Sequence, residues 1–221
     1  MTAAEDVRLV HVMRHGQVHN PGGVLYGRIE GFGLSNLGHE MAWRMGQYWA
    51  ETPLTHLRCS PLQRAQETLE PTAARHAHLE ITTDERVIEA ANQFEGMVFG
   101  SGNKALRDPK MFWHMRNPLK PSWGEPYTEV ATRMEAAILD AARDAGEGGQ
   151  ALVVSHQLPI WIARSAAEGR PFAHDPRRRE CTLCSVTSFT VRDGLITAVS
   201  YAEPVADLLP VKRGRKFKVG T

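Results

Sequence analysis

The residues of this chain best suited to chemistry are two histidines and two arginines standing where strands are expected to end. His15 lies in Arg14-His15-Gly16, directly after an alternating β-branched segment, and His156 directly follows the apolar run ALVVS at 151–155. In open α/β sheets ligands bind at the carboxyl ends of strands, so residues far apart in sequence can meet in one crevice. Arg64 follows a third short strand, in Ser60-Pro61-Leu62-Gln63-Arg64, on the first turn of an expected helix whose positive end suits an anion. A guanidinium matches phosphate oxygens with a planar, permanently charged fork. Two of them flanking a nucleophilic imidazole could hold a phosphoryl group for in-line attack and spread its transition-state charge. Any one of the ten histidines would carry little weight alone. The conjunction carries the argument.

The elements that must position these residues read as alternating strands and helices. Arg8 to Met13 is a first strand by its alternation and β-branched residues. Gly16 is expected to let the chain turn tightly behind His15. Ser35 reads as an N-cap, followed by Leu37, Met41, Met45 and Trp49 at helical spacing. Leu57 to Cys59 is a short strand, and Ser60, Pro61 and Gln63 form a helix-start signature of cap, first-position proline and third-position glutamine. A helix is expected over Thr128 to Asp144, closed by Gly146-Glu147-Gly148-Gly149. The continuous apolar run ALVVS marks a strand buried on both faces. A helix after His156 and two strands, Ser185 to Val191 and Leu195 to Tyr201, turning at Asp193-Gly194, complete the pattern. The expected architecture is a three-layer α/β/α sandwich around a mostly parallel sheet.

The chain of 221 residues is expected to form a single domain over 1–221, with an insertion or cap at about 97–127 and a basic tail at about 205–221. The insertion lacks a clean period and is rich in Trp, Pro, Lys and Arg. It carries Trp113, Trp123 and Tyr127 with Arg107, Lys110, Arg116 and Lys120, groups suited to stacking on a ring or holding a second anion, or else to packing the insertion onto the sheet. In the tail, KRGRKFK at 212–218 reads as a solvated end. A hydrophobic share of 42% against 23% charged residues is that of a globular protein, and a formal net charge of +1 argues for neither nucleic-acid nor membrane binding. No apolar stretch approaches the roughly 20 residues that span a bilayer, and the start lacks a signal-peptide pattern. The expected compartment is the cytoplasm. Cys59, Cys181 and Cys184 are too few and too odd in number for a disulfide framework, so Cys181-x-x-Cys184 reads as two structural thiols. The oligomeric state is open, a homodimer being one possibility.

Four segments resemble, in order, the motifs of the histidine phosphatase superfamily, in its phosphoglycerate-mutase-like branch. VMRHGQVHN resembles its Arg-His-Gly signature, and SPLQRAQET at 60–68 its S-P-L-x-R-A-x-x-T helix start. Glu89 with Glu95-Gly96 resembles its acidic motif, and Val153-Val154-Ser155-His156 its second-histidine strand. The similarity runs from about Arg8 to about Tyr201. It implies a phosphoglycerate-mutase-like fold and a phosphohydrolase acting on a small phosphomonoester, with no cofactor or metal. In that reading His15 accepts the phosphoryl group, and Arg14, Arg64 and His156 hold it, helped by Asn20 and the backbone amide of Gln157. Glu89 protonates the leaving oxygen and then activates water, with Glu95 the second candidate. Tyr26-Gly27-Arg28, the insertion and Arg177-Arg178-Arg179 are candidates for substrate recognition or ordinary surface loops. Mutases of this family carry Arg-His-Tyr-Gly after the acid, where this chain has Ala90-Ala91-Asn92-Gln93. A phosphomutase, or a binding module on the same scaffold, is the alternative.

Overall fold

In the run that precedes His156, Ala151 and Val153 turn to one side while Leu152 and Val154 turn to the other, and all four are fully buried. A strand apolar on both faces needs cover on both, and the chain supplies two helical layers. The computed structural model describes residues 6–98 and 124–209. In chain order its main elements are β1 (Val7–Arg14), α1 (Asn36–Trp49), β2 (Leu54–Cys59), α2 (Gln63–Ala73) and β3 (Ile81–Thr83). They continue with α3 (Tyr127–Ala145), β4 (Gln150–Ser155), α4 (Gln157–Ala167), β5 (Val186–Arg192) and β6 (Leu195–Ala202). Met41, Met45 and Leu69 of α1 and α2 pack on Met13, Leu152 and Val154. On the opposite face Met134, Ile138, Ile160 and Ile162 of α3 and α4 pack on Val10, Val12 and Val153. The result is the expected three-layer sandwich.

The six strands run in the order β3-β2-β4-β1-β5-β6, so β4 inserts between β1 and β2. β1, β2, β3 and β4 are parallel, and β5 is antiparallel to both of its neighbours. Register decides the site. Arg14 of β1 pairs with Ser155 of β4, Cys59 of β2 with Val154, and Thr83 of β3 with Cys59. The parallel strands therefore end level, and His15, His156, Ser60 and Asp84 fall along one edge of the sheet.

Three local expectations are revised. α2 begins at Gln63, and its cap position is Leu62, with no side-chain cap bond. Ser60 fails as the helix cap because its hydroxyl lies 2.7 Å from Nε2 of His156. Gly16 is required for a close approach rather than for a turn, since a Cβ there would stand 2.9 Å from the carbonyl oxygen of Gly38. β3 was not foreseen: its three residues are exposed on a sheet edge, with no buried alternation to betray them. Ser35 does cap α1, accepting from the Gly38 amide at 3.0 Å. Asp193 and Gly194 turn the β5–β6 hairpin with φ of 50° and 75°. All three cysteines are buried and free, and burial pushes the Cys59 and Cys184 thiols up to about 12 and Cys181 to about 11, so none is a ready thiolate. Most of the expected insertion, 99–123, and the basic run at 212–218 lie outside the described residues.

The start of α1 rides directly on the loop that follows His15. A Cβ at Gly38 would come within 2.0 Å of the Gln17 carbonyl oxygen. Gly38→Ala should therefore destabilise the protein by about 1–3 kcal/mol, a fall in Tm of roughly 2–10 °C. Gly22→Ala, where the new Cβ meets only a Val24 methyl at 3.5 Å, is the control. Thermal denaturation checks both, and an unchanged Tm in Gly38→Ala would refute the contact.

Candidate active site

His15 and His156 leave adjacent parallel strands, and their rings meet with centroids 5.2 Å apart at 57°. Both are fully enclosed. The Nδ1 of His15 lies 2.7 Å from the carbonyl oxygen of Gly16. A carbonyl only accepts, so Nδ1 carries the proton and Nε2 presents a lone pair. On His156 the Ser60 hydroxyl occupies Nε2 at 2.7 Å, while Nδ1 is buried without a partner. The Ser60 oxygen also accepts the Leu62 amide at 3.4 Å; in the tautomer whose Nε2 accepts the Ser60 proton, Nδ1 of His156 is a donor.

Arg14 and Arg64 enclose this pair. Arg14 donates through Nη1 to the Cys181 carbonyl at 2.8 Å, and Arg64 through Nη2 to the Gly27 carbonyl at 2.6 Å. Each keeps a buried Nε with no partner. The Arg64 guanidinium also sits 4.7 Å above the Tyr26 ring. Gly27 adopts φ of 41°, and a Cβ there would run into the Glu95 carboxyl at 2.2 Å, so the residue presents its carbonyl to Arg64 where a larger one could not. Thr68, one helical turn beyond Arg64, accepts the Gly16 amide at 3.0 Å and donates to the Arg64 carbonyl at 2.6 Å, tying the His15 loop to α2. Burial, and then the charges of Arg64 and Arg14, hold the His15 imidazole well below its ordinary value of 6.5; burial and Arg64 do the same for His156. At neutral pH both rings are uncharged. Two unsatisfied guanidinium donors, a partnerless imidazole nitrogen and one nucleophilic lone pair thus lie in one positively charged, buried cluster, an arrangement that can bind a tetrahedral oxyanion and attack its centre.

Glu89 stands at the rim, past the end of β3. Its carboxylate accepts the Ala90 amide at 2.9 Å. Ser155 donates to the Val87 carbonyl at 2.7 Å, Arg133 of α3 to that of Arg86, and Arg28 to that of Glu89 at 2.7 Å. Glu125 joins the two arginines, meeting Arg28 at 3.0 Å and Arg133 at 2.7 Å. Glu95 accepts the Asn92 amide at 3.3 Å. Both carboxylates act on Arg64, Glu89 the more strongly.

Three residues expected to contact substrate are otherwise occupied. Asn20 uses both ends of its amide on the Val24 backbone, at 2.8 and 3.0 Å, closing its own loop instead of reaching the pocket. Arg28 braces the Glu89 segment as described, and Gly27 offers its carbonyl to Arg64. The side chain of Gln157 lies between the Cys181 carbonyl at 3.3 Å and Arg179 at 3.4 Å, while its residue opens α4 at the helix's positive end. Sequence reading missed Ser60's bond to His156, Thr68, Glu125 and Arg133. Thr68 was findable, since it lies four residues after Arg64 on one helix face. The Glu125 contacts span long loops and had no local signal. Among the described residues no three His, Cys, Asp or Glu side chains gather as a metal-ligand set, and no helix is long and apolar enough to cross a membrane.

A parallel sheet with paired imidazoles and guanidiniums at its strand ends is the phosphoglycerate-mutase-like α/β class. The sequence profile of the histidine phosphatase superfamily, branch 1, matches residues 10–204, and the chain belongs to that superfamily of phosphatases and mutases. It is 49% identical over 197 residues to the uncharacterized protein Rv0525 of Mycobacterium tuberculosis, covering 89% of this chain and 96% of the relative. It is 27% identical over 191 residues to a probable phosphoglycerate mutase, GpmB, of Erwinia tasmaniensis, covering 80% and 82%. The structure of YhfR from Bacillus stearothermophilus superposes with a TM-score of 0.72 at 25% identity, covering 86% of this chain and 94% of that one.

Buried neutral imidazoles have a thermodynamic consequence. Unfolded, they take up protons near pH 6.5; folded, their depressed pKa values prevent it, so the unfolded state binds more protons as the pH falls. Stability should be level above about pH 7.5 and decline below 6.5, by up to about 1.4 kcal/mol per pH unit for each such ring. His11, His56 and His174, also held low chiefly by burial, add in the same direction. Urea unfolding at pH 7.5, 6 and 5 measures the decline, which should be shallower in His15→Gln. Identical slopes would show that His15 protonates freely in the fold.

Proposed function

We propose that the protein is a phosphohydrolase of small phosphomonoesters that works through a phosphohistidine on His15. One observation carries the reading: the lone pair of His15 Nε2 lies in a buried cluster with three partnerless nitrogens, Arg14 Nε, Arg64 Nε and His156 Nδ1. They suit the equatorial oxygens of a transferring phosphoryl group. Nε2 attacks phosphorus as the bond to the alcohol oxygen breaks, and the Glu89 carboxyl gives that oxygen its proton. The Glu89 carboxylate then takes a proton from water, whose oxygen attacks phosphorus while the P–N bond breaks. Alcohol and phosphate leave, and His15 returns neutral. No step calls for a metal. The three unpaired buried thiols suit a reducing compartment, and we place the protein in the cytoplasm. The likeness to a probable phosphoglycerate mutase favours a second reading, in which the phosphoryl group returns to substrate instead of passing to water. Ala90-Ala91-Asn92-Gln93 in place of the mutase Arg-His-Tyr-Gly supports hydrolysis.

A phosphate-release screen over sugar phosphates, phosphoglycerates, nucleotides and phosphopeptides tests the activity. His15→Ala should lose it, and the wild type should carry acid-labile, base-stable phosphate after a quench. Activity should survive exhaustive chelation and yield to vanadate, which mimics the five-coordinate phosphoryl centre. Full turnover by His15→Ala, or loss on chelation restored by one divalent ion, would overturn the mechanism. Interconversion of phosphoglycerates without phosphate release would establish the mutase.

Glu89→Gln keeps the side chain's shape and removes its exchangeable proton. Turnover of an alkyl phosphate, whose leaving group needs that proton, should fall by roughly 10²–10⁴. Formation of phosphoenzyme from p-nitrophenyl phosphate should fall far less, so phosphohistidine should accumulate in rapid-quench experiments. If Glu95→Gln behaves this way and Glu89→Gln does not, Glu95 is the acid.

A further inference from the structure

Every described arginine that is at least partly buried has a carboxylate ion-pair partner among the described residues, with three exceptions. Two are Arg14 and Arg64, whose charge the proposed phosphoryl group would answer. The third is Arg179, on the segment between α4 and β5. A half-buried guanidinium without a counter-ion is costly unless something else supplies the negative charge.

Arg179 is also aimed. Its Nε donates to Nε2 of His174 at 2.7 Å, and His174 in turn donates from Nδ1 to the Phe172 carbonyl at 2.5 Å, which fixes the tautomer that can accept. Trp161 and Tyr127 pack on the His174 ring, with centroids 5.5 and 6.0 Å away, and hold it in place. Through Nη1, Arg179 reaches Oε1 of Gln157 at 3.4 Å; Nε2 of that glutamine shares the Cys181 carbonyl with Arg14. A continuous row, Arg14, Gln157 and Arg179, therefore leads from the phosphoryl pocket along the positive start of α4. Of the other candidates for recognising substrate charge among the described residues, Arg28 is committed to Glu125 and Arg177 to Asp175, and Arg178 is exposed.

We propose that Arg179 binds a second anionic group on the substrate, a carboxylate or a second phosphate carried by the alcohol portion, and so selects phosphomonoesters with two anions. The proposal rests on the phosphohydrolase reading for its reaction, but the anion subsite is testable by binding alone. Burial lowers the Arg179 pKa from its ordinary value, as expected of a guanidinium waiting for a counter-charge. Glu89 faces it electrostatically without forming an ion pair, which raises the competing idea that Arg179 serves only to tune that carboxylate.

The test compares 2- and 3-phosphoglycerate with glycerol 2- and 3-phosphate, pairs differing by a carboxylate in place of hydroxymethyl. 1,3-Propanediol bisphosphate against propyl phosphate probes a second phosphate as the anion. In Arg179→Gln, kcat/KM for the preferred doubly anionic compounds should fall about 10–100-fold, mainly through KM, and for their singly anionic partners less than about threefold. Arg179→Lys should recover part of the preference. Equal losses on both members of each pair would assign Arg179 to Glu89 or to folding and overturn the subsite, as would no loss on either. Should the wild type hydrolyse none of these compounds, the phosphohydrolase reading is decided by the wider phosphate-release screen and the subsite by binding. Calorimetric binding of 3-phosphoglycerate and glycerol 3-phosphate then decides the subsite: tighter binding of the former by wild type, erased in Arg179→Gln, supports it, and no difference refutes it.

Discussion

Arg14 and Arg64 bring two like charges into the interior beside two imidazoles, with no ion-pairing carboxylate among the described residues. Removing a guanidinium from water costs several kcal/mol even after relaxation, and the surrounding structure is organised to bear that cost. Each charge is anchored on a single backbone carbonyl, Cys181 for Arg14 and Gly27 for Arg64. The Tyr26 ring covers the face of Arg64, and a left-handed glycine turns the required carbonyl inward. Burial first, and then these charges, keep the two imidazoles uncharged. That is the form in which His15 has a lone pair to offer, so electrostatic strain and nucleophilicity have one physical origin.

The acidic side of the site is built by other means. Glu89 lies on a connection with almost no regular structure, and four separate bonds hold that connection: Ser155, Arg133 and Arg28 donate to the carbonyls of Val87, Arg86 and Glu89, and the Ala90 amide donates to the Glu89 carboxylate. Glu125 links Arg28 of one loop to Arg133 of α3, and the arginines grip the carbonyl of Glu89 itself and that of Arg86 before it. In the proposed mechanism the carboxyl first gives and then takes a proton, which needs a fixed distance to the phosphoryl centre. Ion pairs shared between a helix and two loops provide this where a strand or helix does not. The Arg58–Asp84–Arg86–Asp140 network anchors the same connection one turn earlier, where β3 ends.

Much of the fold was legible because periodicity is a local property. The unbroken apolar run before His156, the spacing of Met41, Met45 and Trp49, and the Asp193-Gly194 turn each reflect which faces are buried or which dihedrals are allowed, and each appears as expected. The pairing of histidines and arginines at strand ends was legible for the same reason, since a strand's apolar pattern shows where it stops. Local rules misled at Ser60, where tertiary context offered its hydroxyl a buried imidazole in place of a helix amide. They were silent on β3, which buries nothing, and on Glu125, whose partners lie 97 residues before it and 8 after it.

The sequence alone determined the alternation of strands and helices and the nucleophile, guanidinium and imidazole types that end three of the strands. Only the tertiary structure decided that β4 inserts between β1 and β2, which makes His15 and His156 neighbours across 140 residues of chain. Only there did Arg28 find the distant Glu125 and the Glu89 carbonyl that occupy it, while Arg179 was left without a carboxylate ion-pair partner among the described residues. The physical reason is that a side chain's role depends on which charges and hydrogen-bond groups surround it once water is excluded, and that company is chosen by strand order and register rather than by neighbours in sequence.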